Sequence, residues 1–130
     1  MCLLDEVLEW SDTAIRCQTS SHRAADNPLR AHGRLGAVCG IEYAAQAMAI
    51  HRALLAPTNA APGRGLLLSV RAVCMHAPRL DAATGELLVS ASYQHADAAI
   101  AQYVFSVGTA NQLLVEGRAV VMPDAGVLTP

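Results

Sequence analysis

The sequence of 130 residues contains no lysine, and all nine of its basic residues are arginine. This absence excludes a Schiff-base lysine, a lysine general base and the lysine of a phosphate-binding P-loop. Charged residues make up only 15% of the chain, and the net charge is −2. A balance this close to neutral argues against a protein that binds nucleic acid. No uncharged apolar run reaches about 18 residues, so we predict no membrane span.

Cysteines are few and widely spaced. The four, Cys2, Cys17, Cys39 and Cys74, form no CxxC pair, and the Cys/His clustering of a zinc site is absent. An even number of cysteines is compatible with two disulfides. However, the N-terminus lacks the basic-then-apolar order of an export signal. We therefore expect reduced thiols in a cytoplasmic protein without a metal site.

Apolar residues make up 53% of the chain, which excludes disorder and provides enough material for a core. We predict a single domain over residues 1–130. Segments 3–10 and 13–19 predict a β-hairpin, and the polar segment 20–36 predicts a long ordered loop of the kind that often carries function.

The middle of the chain predicts one helix. Residues 37–56 contain seven alanines and are followed by Pro57. Because this segment is apolar or small almost all round, we expect it to be buried on most sides. A linker is predicted over 57–65 and a loose tail from 123. Strands are predicted over 66–76, 86–96, 100–107 and 112–122. One helix between two groups of strands predicts an α+β fold, with a curved antiparallel sheet wrapped around the helix.

One carboxylate is unusual in its position. Glu42 is the single acidic residue between Asp26 and Asp81, and it lies in the first turns of the most apolar helix. A buried carboxyl group tends toward its neutral, protonated form, and such a group is suited to act as a general acid. The alternative is structural: Glu42 caps its own helix or pairs with Arg34.

The loop before the helix supplies a candidate base. His32 precedes Glu42 by ten residues and is followed by Gly33 and Gly36. Glycines here allow backbone N–H groups to face a ligand at the positive end of the helix, where a thioester oxygen is stabilised as it gains charge. The alternative for His32 is a solvated loop residue. The other histidines lack metal-ligand spacing, and Cys39 is more typical of a small core residue than of a reactive thiol.

Several segments together are similar to a known family. NPLRAHG at 27–33 resembles the histidine loop, and GAVCGIEYAAQ at 36–46 resembles the start of the central helix, of the hot-dog-fold 3-hydroxyacyl-(acyl-carrier-protein) dehydratases. LLVEGRAVVMP at 113–123 resembles their last strand. The resemblance covers nearly the whole chain, and its most specific part is Ile41, Glu42, Ala45 and Gln46. Within the family, the chain is most similar to the small dehydratases of aryl-polyene pigment clusters.

The resemblance implies a function and a site. It implies the loss of water from a 3-hydroxyacyl thioester to give a trans-2-enoyl thioester, in fatty acid or aryl-polyene biosynthesis and without a cofactor. His32 matches the catalytic histidine and Glu42 the catalytic acid, while Gly33, Gly36 and the N–H of Ala37 match the substrate-binding positions. The implied partners are an acyl carrier protein and a second hot-dog subunit, identical or different, with the histidine and acid of each site on different subunits.

The chain also departs from that family. The spacing from histidine to acid is shorter by about one helical turn, and the chain starts almost at the first strand, which predicts a shortened N-terminus. Two alternatives therefore accompany the dehydratase interpretation. One is a hot-dog acyl thioesterase, in which a carboxylate activates water. The other is a non-catalytic acyl-binding subunit of a dehydratase heterodimer.

Overall fold

A computed structural model describes residues 2–55, 66–96 and 100–122. The elements are β1 Glu6–Trp10, β2 Ala14–Thr19, α1 Gly40–Leu55, β3 Leu66–Met75, β4 Leu87–Ala96, β5 Ala101–Gly108 and β6 Leu113–Met122. A 3-10 turn over Ala37–Cys39 leads directly into α1, so the predicted start of the helix at residue 37 is confirmed. The predicted linker 57–65 and the tail from 123 lie outside the described residues. The single domain over 1–130 stays a prediction.

The strands form one antiparallel sheet in the order β1-β2-β4-β5-β6-β3. The predicted hairpin is present, with Trp10 of β1 opposite Ile15 of β2. The sheet and the single long helix confirm the predicted α+β class. β1 and β3 lie at opposite edges, and β3 is the longer edge strand, with ten residues.

The helix packs on one face of the sheet, with its contacts concentrated on β2, β4 and β5. Its buried residues follow helical spacing: Gly40, Tyr43, Ala44, Ala47, Met48 and His51. The expectation of burial on most sides was therefore too strong. The opposite side of α1 is partly exposed, because the described residues form no second layer over it, and Glu42 lies on that side.

The core lies between α1 and the sheet. In β5, alternate residues are buried, with Tyr103 and Phe105 facing the helix. Gly40 allows close packing here, since a Cβ at this position would lie 3.2 Å from Val115 Cγ2. The start of the helix is therefore held against β6.

Two polar residues of α1 tie the helix to the rest of the fold. His51 is fully buried; its Nε2–H donates to the Ser11 carbonyl at 2.8 Å, and Tyr103 O–H donates to Nδ1 at 2.5 Å. Gln46 Oε1 accepts the Leu3 N–H at 2.8 Å. Both residues therefore have structural roles, including Gln46 of the segment that carries the resemblance.

Candidate active site

The loop over residues 20–36 is ordered by a chain of buried hydrogen bonds that starts from the helix. Asn27 Nδ2 donates to Tyr43 Oη at 3.0 Å, and the Tyr43 hydroxyl lies 2.8 Å from Ser21 Oγ. Ser21 O–H in turn donates to the Leu3 carbonyl at 2.7 Å. Burial raises the pKa of Tyr43, so the phenol stays protonated and can donate in this chain. The predicted ordered loop is confirmed.

Arg30 holds the second half of the loop. Its guanidinium donates to the carbonyls of Ala24 at 2.7 Å, Gly33 at 3.0 Å and His22 at 3.3 Å. Nη1 also lies 3.6 Å from Asp81 Oδ2. Arg30 is therefore committed to the fold and is not available to bind a charged ligand.

Asp81 connects this loop to the segment after β3. Its side chain is only 6% exposed, yet it accepts hydrogen bonds from the Leu35 N–H at 3.0 Å and from Arg79 Nε at 2.9 Å, and a second bond from Arg79 Nη2. The Arg79 hydrogen bonds hold the pKa of Asp81 well below its usual range. A buried carboxylate with this many donors stays ionised and fixes the chain just before Gly36.

His32 and Gly33 form the tip of a tight turn. Ala31 N–H donates to the Arg34 carbonyl at 2.9 Å, and Arg34 N–H donates back to the Ala31 carbonyl at 3.1 Å. His32 and Gly33 have φ values of 54° and 76°. Positive φ at both central residues defines a type I′ turn, which explains the glycine. The His32 side chain is exposed at this tip.

Gly36 and Ala37 lie at the start of the helix, as expected, but their backbone is partly committed. Gly36 forms an isolated antiparallel bridge with Arg79. Within that bridge the Ala37 N–H donates to the Pro78 carbonyl at 3.0 Å. The expectation that this N–H binds a thioester oxygen therefore needs correction, because the amide already has an acceptor. The next amide, that of Val38, has no recorded acceptor outside the helix in the described part of the chain.

Glu42 is exposed in this single chain, which corrects the expectation of a buried carboxylate. It forms no hydrogen bond or ion pair within the described ranges, so the alternatives of a cap or an Arg34 partner are not observed. Nearby along the chain, Val38 exposes 56% of its surface. An unpaired carboxylate beside an exposed apolar side chain is typical of a surface that a partner covers.

The structure places His32 and Glu42 at the two ends of the same segment but does not bring them into contact. No hydrogen bond joins them, and the recorded cavities of the described residues lie elsewhere. Within the described residues, the two side chains are therefore not joined in one site. The spacing of ten residues predicted that both side chains meet in one pocket, within a chain or across a dimer, and the pocket across a dimer stays a prediction.

The other histidines and the cysteines lie in environments that do not indicate a catalytic role. His22 is fully buried, its Nε2–H donates to the Ala83 carbonyl at 3.3 Å, and burial lowers its pKa. His76 pairs with Glu116 at 2.7 Å on the surface. Burial raises the pKa of the Cys39 thiol, so a reactive thiolate is not favoured. All four cysteines are unbonded, and the described residues contain no metal-binding cluster.

The residues that position the loop were missed by sequence reasoning. Tyr43, Asn27, Arg30 and Asp81 hold the segment that carries His32. Asn27 stands before Pro28 and accepts the Leu29 N–H at 2.8 Å, a local turn signal that the sequence does contain. The bonds from Asp81 to Leu35 join residues 46 positions apart, and no local pattern indicates them.

None of the described helices is long and apolar enough to cross a membrane.

Comparison with known proteins gives a family and a fold. A family model described as ApeP-like, an ApeP dehydratase, matches residues 1–128. The dehydratase heterocomplex ApeI:P from Xenorhabdus doucetiae is similar with a TM-score of 0.79 at 25% identity, over 93% of this chain and 82% of that chain. No curated protein sequence matches the chain.

Thioesterases share the architecture at lower identity. A mutant thioesterase from Staphylococcus aureus has a TM-score of 0.67 at 16% identity, over 90% of both chains. A thioesterase from Haemophilus influenzae has a TM-score of 0.66 at 13% identity, over 90% of this chain and 76% of that one. The predicted hot-dog fold is thereby confirmed, and at these identities the thioesterases support the fold alone.

Proposed function

We propose that this chain, which belongs to the ApeP-like dehydratase family, is a 3-hydroxyacyl thioester dehydratase whose sites are completed by a second hot-dog subunit. The observation that carries the proposal is Glu42. It is an exposed carboxylate in the first turn of α1, and among residues 2–55, 66–96 and 100–122 it has no ion-pair partner and no layer that covers its side of the helix.

The sheet supports a two-subunit site. β3 is an edge strand, and its unpaired backbone groups can accept another strand. On this edge strand, Met75 exposes 53% of its surface. A second hot-dog subunit on this side would cover both β3 and the open side of α1. Glu42 would then lose its contact with water, and the protonated form that a general acid needs would be favoured.

The chemistry requires one base and one acid. In the proposed reaction, a histidine removes the proton α to the thioester carbonyl, and the thioester oxygen gains negative charge. A protonated carboxylic acid then donates its proton to the 3-hydroxyl, the C–O bond breaks, and water leaves with formation of the trans-2 double bond. In this proposal the Val38 N–H at the start of the helix stabilises the oxygen, since the Ala37 N–H already donates to the Pro78 carbonyl.

His32 and Glu42 are proposed to serve different sites of one assembly. Each is exposed in the single chain, and they do not contact each other, which fits a site that takes its histidine from one subunit and its acid from the other. The acyl group would be delivered on the phosphopantetheine arm of an acyl carrier protein, in the cytoplasm, in fatty acid or aryl-polyene biosynthesis. The reaction requires no cofactor or metal.

A specific observation favours a second candidate function. His32 occupies the αL position of a tight turn, a place where histidine is found for conformational reasons. If that is its whole role, the chain is an acyl-binding subunit that supports a catalytic partner. The thioesterase alternative rests on shared fold, and it predicts hydrolysis of the thioester in place of dehydration.

The proposed function is tested with 3-hydroxyacyl-carrier-protein substrates. The chain is assayed alone and after co-expression with a second hot-dog dehydratase subunit of the same organism, and products are identified by mass. We expect loss of water with the thioester intact, and higher turnover for the co-expressed pair. Release of free acid would support the thioesterase, and turnover that depends wholly on the partner would support the acyl-binding role.

The two glycines give a prediction that separates stability from activity. Gly36→Ala should leave the thermal midpoint unchanged, because φ is −64° and the added Cβ would lie 4.0 Å from the nearest side-chain atom. It should still lower kcat/KM by about tenfold, since the methyl group narrows the approach to the helix start.

Gly33→Ala provides the contrast. Because Gly33 has a φ of +76°, a side chain at this position should lower the free energy of unfolding by about 1 kcal/mol, and the thermal midpoint should fall. Equal kcat/KM for wild type and Gly36→Ala would place the substrate away from this segment.

A further inference from the structure

The outer face of the sheet, which points away from α1, carries an unfavourable pair of charges. Arg71 of β3 lies directly opposite Arg118 of β6 in the strand register. The neighbours of Arg118 on β6, Gly117 and Ala119, are buried toward the helix, so both arginines face outward. Like charges directly opposite each other across two strands are destabilising.

No carboxylate of the described residues forms an ion pair with Arg71 or Arg118, and Glu116, on the same face two residues before Arg118, is bonded to His76 at 2.7 Å. Neither arginine takes part in a hydrogen bond or ion pair of the described residues, whereas Arg16 on the same face is bonded to Glu9 at 3.2 Å. Both arginines line one shallow cleft of about 100 Å³, together with Gln94 and Gln102. The cleft therefore carries two positive charges. The amide side chains beside them can both donate and accept hydrogen bonds.

The pair lies at the strand where a partner would join. β3 is the free edge of the sheet, and Arg71 lies near the middle of its ten residues. If two copies of the chain paired β3 with β3 along its length, the two-fold axis would pass near residue 71. The four guanidinium groups of two copies would then form one row of like charges.

We propose that Arg71 and Arg118 select the partner at this edge, disfavouring a second copy of the chain and fitting a hot-dog subunit with a carboxylate at the facing position. This inference rests on the proposed function only for the kind of partner. The charge pattern itself is independent of catalysis. Charge complementarity of this type sets partner choice more strongly than overall affinity.

The test uses charge-reversed copies of the chain as the carboxylate-bearing partner. Wild type is mixed with the double variant Arg71→Glu, Arg118→Glu, each with a different tag, and dimer formation is measured by sedimentation at low salt. We expect the mixed dimer to form at least about tenfold more tightly than either self-dimer. The preference should fade at high salt, because screening weakens exposed charge interactions.

Two control variants test whether the substitutions leave the fold intact and whether the effect depends on charges near β3. The neutral variant Arg71→Gln, Arg118→Gln should self-associate more tightly than wild type, and its circular dichroism should be unchanged because both side chains are exposed. Arg16→Glu, on the same face but far from β3, should give no mixed-dimer preference. Equal affinities for mixed and self-dimers, or the same preference from Arg16→Glu, would overturn the proposal.

Inorganic phosphate tests the alternative that the cleft binds a small oxyanion and not a protein partner. If phosphate strengthened wild-type self-association to the level of the mixed dimer, the cleft would be an oxyanion site and the proposal would be wrong. We expect phosphate to act no more strongly than chloride at equal ionic strength. Because no step measures dehydration, failure of the proposed reaction leaves this test intact.

Discussion

The double variant His32→Ala, Glu42→Gln should lower dehydration by about a hundredfold or more, while each single change should leave roughly half of the activity. The reason is the proposed division of residues between sites. In a complex with a different subunit, Glu42 serves one site and His32 the other, so each single change removes one of two sites. Turnover is measured on the co-expressed complex with a 3-hydroxyacyl-carrier-protein substrate.

Folding must be separated from chemistry in this experiment. Glu42→Gln keeps the shape of the side chain, and Glu42 forms no hydrogen bond or ion pair among the described residues. The thermal midpoint should therefore stay unchanged. Glu86→Gln is the matched control, since Glu86 is an exposed glutamate whose pairing with exposed Arg23 contributes little to stability.

Other outcomes have distinct meanings. A hundredfold loss from either single change alone would mean that both residues serve every site, as in a dimer of identical copies, where the two act as a unit. That result would keep the chemistry and contradict the proposed partner selection. Full activity in the double variant would end the catalytic interpretation and leave the acyl-binding role.

The fold was predictable because its signals are local. Seven alanines before Pro57 predict α1, and alternation such as that of Tyr103 and Phe105 predicts the strands. β2 to β6 lie within about a residue of their predicted bounds, whereas β1 begins three residues later than predicted and α1 follows a 3-10 turn. The exposure of Glu42 was not predictable in the same way. Its apolar neighbours along the chain indicated burial, but Tyr43 and Ala44 face the core, whereas Glu42 lies on the side of α1 that the described residues leave open.

The sequence predicted which segments carry the candidate site, but not the contacts that hold these segments in place. NPLRAHG and GIEYAAQ indicate the right segments, and both lie near the start of the helix. What holds them is long-range: Tyr43 binds the loop from inside the core, and Asp81 binds it from beyond β3. Such contacts form only when the helix and the sheet have come together, so no spacing within the loop indicates them.

Asp81→Asn should lower the free energy of unfolding by about 2 kcal/mol near neutral pH, because it removes a buried carboxylate that accepts several hydrogen bonds. The asparagine oxygen can still accept the Leu35 N–H, but Arg79 and Arg30 lose the carboxylate that neutralises them. Asp26→Asn is the matched control, since Asp26 is an exposed carboxylate of the loop over 20–36 that Asp81 binds, and we expect a change within about 0.5 kcal/mol.

The acid dependence of this effect has a definite sign. Arg79 lowers the pKa of Asp81 in the folded chain below its unfolded value of about 3.9, so the folded state binds fewer protons. The stabilisation is fully present above the unfolded pKa and is lost as the pH falls toward the folded pKa. The difference between wild type and Asp81→Asn in urea unfolding should therefore shrink between about pH 5 and about pH 3. A difference that stayed constant across that range would show that Asp81 acts through packing, because only an ionised carboxylate couples the loop before Gly36 to pH.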